Sequence, residues 1–431
     1  VKAEVKRRRL MCPTDRAIAA TQGGQGFTTG IVQSDVRFGV EHGGVHKPIH
    51  SSVQYGYEKV EDLIGVFQGK GTGKYSYARQ GTPTAAALEA KLARMEHGIG
   101  AVCFATGMAA IAATLLTLLR AGDHVAASRY IFGNTASLFD TLGNYGISVS
   151  KVDMTRSDSV AKALRPETRL VFLETVANPG TQVPDIERIG ELCRSRGVLL
   201  VVDNTVLSPL LFRPRDVGAG LIIHSLTKTI AGHGNAMGGV VIDTGLFDWA
   251  LYPNIGEIYR DGDPKTWGLR QIRKKGLRDM GGTLSSEHAH LISVGAETLA
   301  LRLARTSATA LTLAQFLASH RAVARVHYPM LPSHPQHSLA KKLFTAGSWL
   351  MSFELRDAST CLAFIDRLKL AIKATGMGDN RTLIIPVAQT IFWEAGAAVR
   401  SEMDISDGLV RVSVGLEDSV DLIADFSQAL S

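Results

Sequence analysis

Residues 198–229 read VLLVVDNTVLSPLLFRPRDVGAGLIIHSLTKT, and this stretch decides the fold. Positions 198–202 and 221–224 are mostly apolar rather than alternating, as expected of strands buried on both faces of a sheet. Similar runs lie at 101–104, 124–127, 147–152, 170–173 and 239–242, with longer amphipathic stretches between them. That alternation predicts an α/β fold with a mostly parallel central sheet. Residues 84–96 illustrate the helices: Ala87, Leu88, Lys91, Leu92 and Met95 fall on one stripe, and His97-Gly98 supplies a stop.

Beyond the sheet the rhythm changes. Residues 245–285, with Pro253, Gly256, Asp261-Gly262-Asp263-Pro264, Trp267 and the basic run 270–278, read as a long irregular excursion, either a cover over a site or a structural insertion. A long helix is expected at 296–319, then a smaller α+β region with strands at 349–355 and 409–414 and a closing helix at 422–430. The expected division is an N-terminal arm at 1–60, a large domain at 61–290 and a C-terminal domain at 291–431, within what 431 residues allow.

Composition narrows the function classes. A chain with 45% hydrophobic and 20% charged residues is neither disordered nor a disulfide-stapled scaffold. The formal charge of +7 owes five positive charges to Lys2, Lys6, Arg7, Arg8 and Arg9, so a solvated terminus explains it more simply than a nucleic-acid or membrane surface. The cysteines Cys12, Cys103, Cys193 and Cys361 never form C-x-x-C, which suggests neither zinc nor disulfides and fits a reducing compartment. The longest apolar run, 108–119, falls short of the ~20 residues of a membrane span, and no signal peptide is read at the start; a cytoplasmic enzyme is expected.

Three of the runs end in chemistry, where ligands of parallel sheets bind. Residues 170–173 lead into Glu174-Thr175-Val176-Ala177-Asn178-Pro179, 198–202 into Asp203-Asn204-Thr205, and 221–223 into His224-Ser225-Leu226-Thr227-Lys228. A desolvated lysine in that crevice has a lowered pKa and suits imine formation, and the hydroxyls of Ser225 and Thr227 suit a phosphate on the same ligand. Asp203 ending an apolar strand calls for a cation, which a protonated pyridine nitrogen provides. Upstream, Thr106-Gly107-Met108 runs from strand to helix, where free N–H groups favour an anion.

Taken together, these residues resemble the pyridoxal-phosphate enzymes of cysteine and methionine metabolism typified by cystathionine gamma-synthase. The resemblance rests on Tyr75-Ser-Tyr77-Ala-Arg79-Gln-Gly-Thr-Pro83-Thr, Thr106-Gly107-Met108-Ala-Ala-Ile111, Glu174 to Pro179, Val202-Asp203-Asn204-Thr205, His224-Ser225-Leu-Thr227-Lys228, Gly232-His233 with Met237-Gly238-Gly239, and Val410-Arg411-Val-Ser-Val-Gly415-Leu-Glu417-Asp418, all in the family's order. It implies the fold type I architecture of aspartate aminotransferase-like transferases, with pyridoxal 5'-phosphate (PLP) as cofactor and Lys228 as the Schiff-base lysine and proton shuttle. Asp203 would hold the pyridine nitrogen protonated. Gly107, Met108, Ser225 and Thr227 would hold the phosphate, with Thr205 beside them, and Asn178 the phenolic oxygen. Phe132 would stack on the ring, and Tyr77 with Arg79 would reach the phosphate of a neighbouring subunit. Arg411 would bind the substrate carboxylate as a planar fork. A homotetramer, an amino acid substrate and a thiol or sulfide donor are implied too.

Departures from the family bear on the reaction. Phe132-Gly133-Asn134-Thr135 stands where many relatives have Tyr-Gly-Gly-Thr; the phenylalanine is familiar from O-succinylhomoserine sulfhydrylase-like relatives, and Asn134 replaces the cysteine expected of methionine gamma-lyases. Thr82, Ala85, residues 375–378 and residues 385–391 depart as well. The first expectation is γ-replacement on an O-acyl-L-homoserine, and the alternative is elimination by a cystathionine beta- or gamma-lyase. A Ser225-acylating hydrolase, on the Ser-x-x-Lys spacing, and a non-catalytic sheet domain are the readings from other classes. His42, His46 and His50 do not suit a helical metal face because Gly43, Gly44 and Pro48 intervene; His288 and His290 precede an expected helix and read as surface or packing groups. Residues 69–74 miss the spacing of a phosphate loop and read as an entry loop.

Overall fold

The computed structural model describes residues 25–70 and 73–431. The basic run at Lys2 to Arg9, Cys12 and most of the expected arm's first half lie outside the described residues, as do Gly71 and Thr72 of the entry loop.

All seven apolar runs form one sheet: β1 Gly100–Phe104, β2 His124–Ser128, β3 Ser148–Val152, β4 Thr168–Glu174, β5 Leu199–Asp203, β6 Leu221–Ser225 and β7 Gly239–Asp243, in the order β1-β7-β6-β5-β4-β2-β3. Only β7 runs antiparallel to its neighbours, β1 and β6. The apolar runs are continuous because both faces are covered: Leu199, Val201 and Val202 are inaccessible to solvent, and their side chains divide between two cores on opposite sides of the sheet. The strand ends fall level, with Glu174 opposite Asp203 and Asp203 opposite Ile223.

Helix Pro83–Met95 begins at the Thr82 cap, whose side chain accepts from Ala85 N–H, and buries the expected stripe. Lys91 is buried with the rest because its ammonium lies 3.2 Å from Asp35 and 3.3 Å from Glu297 and donates to Ser293 Oγ at 2.7 Å. His46 lies 3.7 Å from Asp35 and 3.6 Å from Glu297, so the three residues have the spacing of metal ligands, but the lysine supplies the positive charge. His288 and His290 sit inside helix Ser286–Glu297, two residues apart, rather than ahead of a helix.

A second sheet contains β8 Val323–His327, β9 Leu350–Leu355, β10 Ile372–Lys373, β11 Leu383–Pro386 and β12 Leu409–Ser413, in the order β10-β11-β12-β9-β8. The expected strands at 349–355 and 409–414 and the closing helix, Ser419–Ala429, are present; β8, β10 and β11 are additional. The expected helix at 296–319 is present as Leu299–Ser319, and a separate helix, Ser286–Glu297, precedes it across Thr298.

The irregular excursion at 245–285 is corrected. It holds helix Trp267–Gln271 running into a π-helical stretch at Ile272–Asp279, and short 3-10 turns precede it. Trp249, Tyr252, Ile255, Tyr259, Ile272 and Leu277 belong to the core on one face of the first sheet. Trp249 Nε1 donates to the buried Asp243 carboxylate at 2.8 Å. The segment is a structural layer, not a cover. Trp249→Ala is therefore expected to remove about 3–5 kcal/mol of unfolding free energy in urea, the range for deleting a buried aromatic. A cost below about 1 kcal/mol would return the segment to the role of a loose cover.

Candidate active site

The site is built where the level ends of β4, β5 and β6 meet the first turn of one helix. Helix Gly107–Leu118 starts directly after β1, capped by Thr106, whose side chain accepts from Ala109 N–H at 3.0 Å. Its open N–H groups lie against the end of β6, since a Cβ on Gly107 would stand 2.9 Å from Ser225 Cβ and 3.2 Å from its Oγ. Only glycine leaves that cradle open. Ser225 N–H donates to Thr205 Oγ1 at 2.8 Å, and Thr205 N–H donates to Asp203 Oδ1 at 2.9 Å, so the ends of β5 and β6 are tied together. Thr227 Oγ1 accepts from Gly238 N–H at 3.0 Å, and Lys228 N–H donates to Ser225 O at 3.2 Å.

The structure thus brings together Gly107, Thr205, Asp203, Ser225 and Lys228. Met108 receives a contact from Thr135 Oγ1 at 3.8 Å from its sulfur. Phe132, the cap residue of helix Gly133–Leu142, has its N–H held by Glu174 Oε1 at 2.7 Å. Arg411, on β12 of the second sheet, is 2% exposed, and reaches across to Asn178 Oδ1 at 3.4 Å while donating to the carbonyls of Thr375 at 2.7 Å and Gly376 at 3.1 Å. Tyr77 and Arg79 keep other company: Arg79 donates to the Arg278 carbonyl and lies over the ring of Tyr77, which is 41% exposed.

Electrostatics follow from desolvation. Burial pushes the Lys228 amine below its usual range; the positive Arg411 adds to this, and Asp203 opposes it. Asp203 is raised by burial, against hydrogen bonds from Thr205 and the nearby charges of His224 and Lys228. Glu174 is pushed well above the carboxylate range by burial and by Asp203 beside it. Burial alone lowers Arg411 to about 10. At neutral pH this leaves an amine with an enlarged neutral fraction between an acid pair and a guanidinium.

Sequence reading gave no role to two acids. Glu174 had the same signal as Asp203, a carboxyl closing an apolar strand. Glu96 had none: it sits at the end of helix Pro83–Met95, yet it is fully buried, 2.7 Å from His224 Nε2, and accepts from Asn204 Nδ2 at 3.0 Å. Asn204 and His224 are the chain neighbours of Asp203 and Ser225, so this acid joins the same two strand ends.

A PLP molecule suits this donor set. An open glycine cradle at a helix start, two hydroxyls, an amine held below its usual pKa and the buried, unpartnered Asn178 Nδ2 gather anion donors and a nucleophile at the ends of the same strands. The family profile described as "Cys/Met metabolism PLP-dependent enzyme" matches residues 28–431. The chain is 35% identical to an L-methionine gamma-lyase of Pseudomonas deceptionensis over 410 residues, 94% of this chain and 97% of the relative. It is likewise 35% identical to a homocysteine synthase of Schizosaccharomyces pombe over 399 residues, 89% of this chain and 93% of the relative. The structure of a Campylobacter jejuni protein, assigned as an O-acetylhomoserine (thiol)-lyase and containing N'-pyridoxyl-lysine-5'-monophosphate, superposes with a TM-score of 0.87 at 31% identity, covering 94% of this chain and 99% of that one. A methionine gamma-lyase is thus a near relative in spite of Asn134.

The neutral amine is the reactive form. Labelling of the Lys228 amine in cofactor-free protein, followed by peptide mapping across a pH series, is expected to give a midpoint below the ordinary lysine value of 10.5. A midpoint at or above that value would contradict the desolvated setting.

Proposed function

Because the chain belongs to the PLP-dependent enzymes of Cys/Met metabolism, we propose that it works at the γ-carbon of an O-acyl-L-homoserine, exchanging the acyloxy group for a thiol or sulfide. The single observation that carries this reading is a buried Lys228 amine within electrostatic reach of both the Asp203 carboxylate and the Arg411 guanidinium, and held below its usual pKa. PLP, when bound, supplies an aldehyde for the amine and an electron sink for the substrate carbon.

The chain's own groups divide the remaining work. Asp203 holds positive charge at the ring nitrogen. Gly107, Met108, Ser225 and Thr227 would hold the phosphate, Asn178 the phenolic oxygen, and Phe132 would stack on the ring. Arg411 takes the substrate carboxylate; its Nη2 is held by the Thr375 and Gly376 carbonyls, which fixes the guanidinium plane, and its Nη1 points toward Asn178. Lys228 removes the α-proton and carries protons between the α- and β-carbons. With Phe132 in place of a tyrosine no phenol shares that task, so the lysine is the sole side-chain base of the reading. The Cγ–O bond breaks with the acyl group leaving as a carboxylate, and a C–S bond forms in its place.

Tyr77 and Arg79 are assigned to the site of a second copy. In support, helix Val60–Phe67 just ahead of them exposes Val60, Leu63, Ile64 and Phe67, the i, i+3, i+4, i+7 face of an amphipathic helix. A pair of such dimers makes the tetramer. Among the described residues no helix is long and apolar enough to cross a membrane.

The second reading is γ-elimination, and the similarity to a methionine gamma-lyase favours it. The two separate in one assay. Incubation with O-acetyl- or O-succinylhomoserine plus a thiol is expected to consume thiol and acyl ester in equal amounts with little α-ketobutyrate. Release of α-ketobutyrate matching ester or methionine loss, with thiol untouched, would reverse the order.

A further inference from the structure

Behind the lysine sits a buried cation that the chemistry above does not use. Arg302, on helix Leu299–Ser319, is 7% exposed, and among the described residues no carboxylate pairs with it. Burial lowers it to about 10, the cost of a guanidinium sunk without a counter-ion. Carbonyls take the place of water. Nη1 donates to Thr229 O at 2.6 Å, Nη2 to Gly295 O at 2.6 Å and to Ile230 O at 3.2 Å, and Nε to Thr298 Oγ1 at 3.1 Å.

Two of those bonds, to Gly295 and Thr298, do what any arginine at a helix junction does: they satisfy a helix end. The other two grip the carbonyls of the two residues that follow Lys228. The turn is shaped around the guanidinium. Gly232, which donates to the Lys228 carbonyl at 2.8 Å, has φ +73°, and a Cβ there would stand 2.1 Å from Arg302 Nη1. On the opposite side, a Cβ on Gly378 would stand 2.7 Å from Thr229 N and 3.1 Å from Lys228 C. Gly378 ends the run whose Thr375 and Gly376 carbonyls hold Arg411. The backbone after Lys228 is therefore held at the Thr229 and Ile230 carbonyls by Arg302, while the Lys228–Thr229 peptide packs against the loop that carries Arg411.

We propose that Arg302 is a positioning residue: its fork holds the backbone after Lys228, aims the ε-amine toward Asp203, and couples the amine to the loop that sets Arg411. The assignment rests on Lys228 being the cofactor lysine. A lysine at 302 keeps the charge but cannot reach four acceptors from one planar group, and methionine keeps only the volume.

The test uses the full-length chain with PLP, and compares it with Arg302→Lys and Arg302→Met. Misaiming a reacting group by about 1 Å costs up to roughly a hundredfold in rate. Both variants are expected to load PLP onto lysine, followed by visible absorbance, at least tenfold more slowly than the parent. In both, kcat is expected to fall at least tenfold with KM within threefold, because Arg411 is intact; Arg302→Lys is expected to recover the melting temperature but not the loading rate. Arg302→Lys loading and turning over within twofold of the parent overturns the proposal, including where Arg302→Met does not fold. A variant that melts early yet loads and turns over normally when folded overturns it too, leaving only a helix-junction role. Failure of the unsubstituted chain to load PLP strikes the functional reading itself and removes this assignment with it.

Discussion

A buried carboxylate and a buried amine act on each other at the ends of neighbouring parallel strands, and the rest of the structure serves to keep them there. Neither group tolerates that position alone. Burial drives Asp203 toward its protonated form and Lys228 toward its neutral form, and each charge partly restores the other. The hydrogen bonds from Thr205 and the nearby His224 hold Asp203 toward ionisation, while Arg411 holds the amine toward neutrality. An acid poised to keep a cation and an amine poised to act as nucleophile are the two properties that PLP chemistry demands of a protein.

Keeping both in register is a problem of packing. The ends of β5 and β6 are joined on one side through Thr205, and again by Glu96 through Asn204 and His224. Glycine at 107 lets the helix start approach β6 until only an anion-sized cradle remains. The second sheet contributes a buried guanidinium, Arg411, whose orientation is fixed by backbone carbonyls rather than by an acid.

Much of this was legible in the chain itself. The inner strands of the first sheet were readable because covering both faces makes their residues mostly apolar, and Asp203 and Lys228 were readable because they follow that pattern at its end, whereas the edge strand β3 is half exposed. β8 was not, since Ala324 and Arg325 are exposed in its middle, and β10 is two residues long. The excursion at 245–285 was misread because its helix is basic and glycine-bearing, and its burial comes from the sheet it lies on rather than from its own periodicity. Glu96 and Arg302 look like ordinary helix-surface charges in sequence; only the packing puts a carboxylate behind the strand ends and a guanidinium behind the lysine. Tyr77 and Arg79 carry the family pattern, yet their contacts within one chain lie with Arg278.

The most direct measurement of the central claim is chemical. The full chain, incubated with PLP and reduced with borohydride, is digested and its peptides weighed. The account predicts a phosphopyridoxyl mass at close to one equivalent on the peptide bearing Lys228 and on no other. Modification spread over several surface lysines, with the Lys228 peptide unchanged, would contradict it.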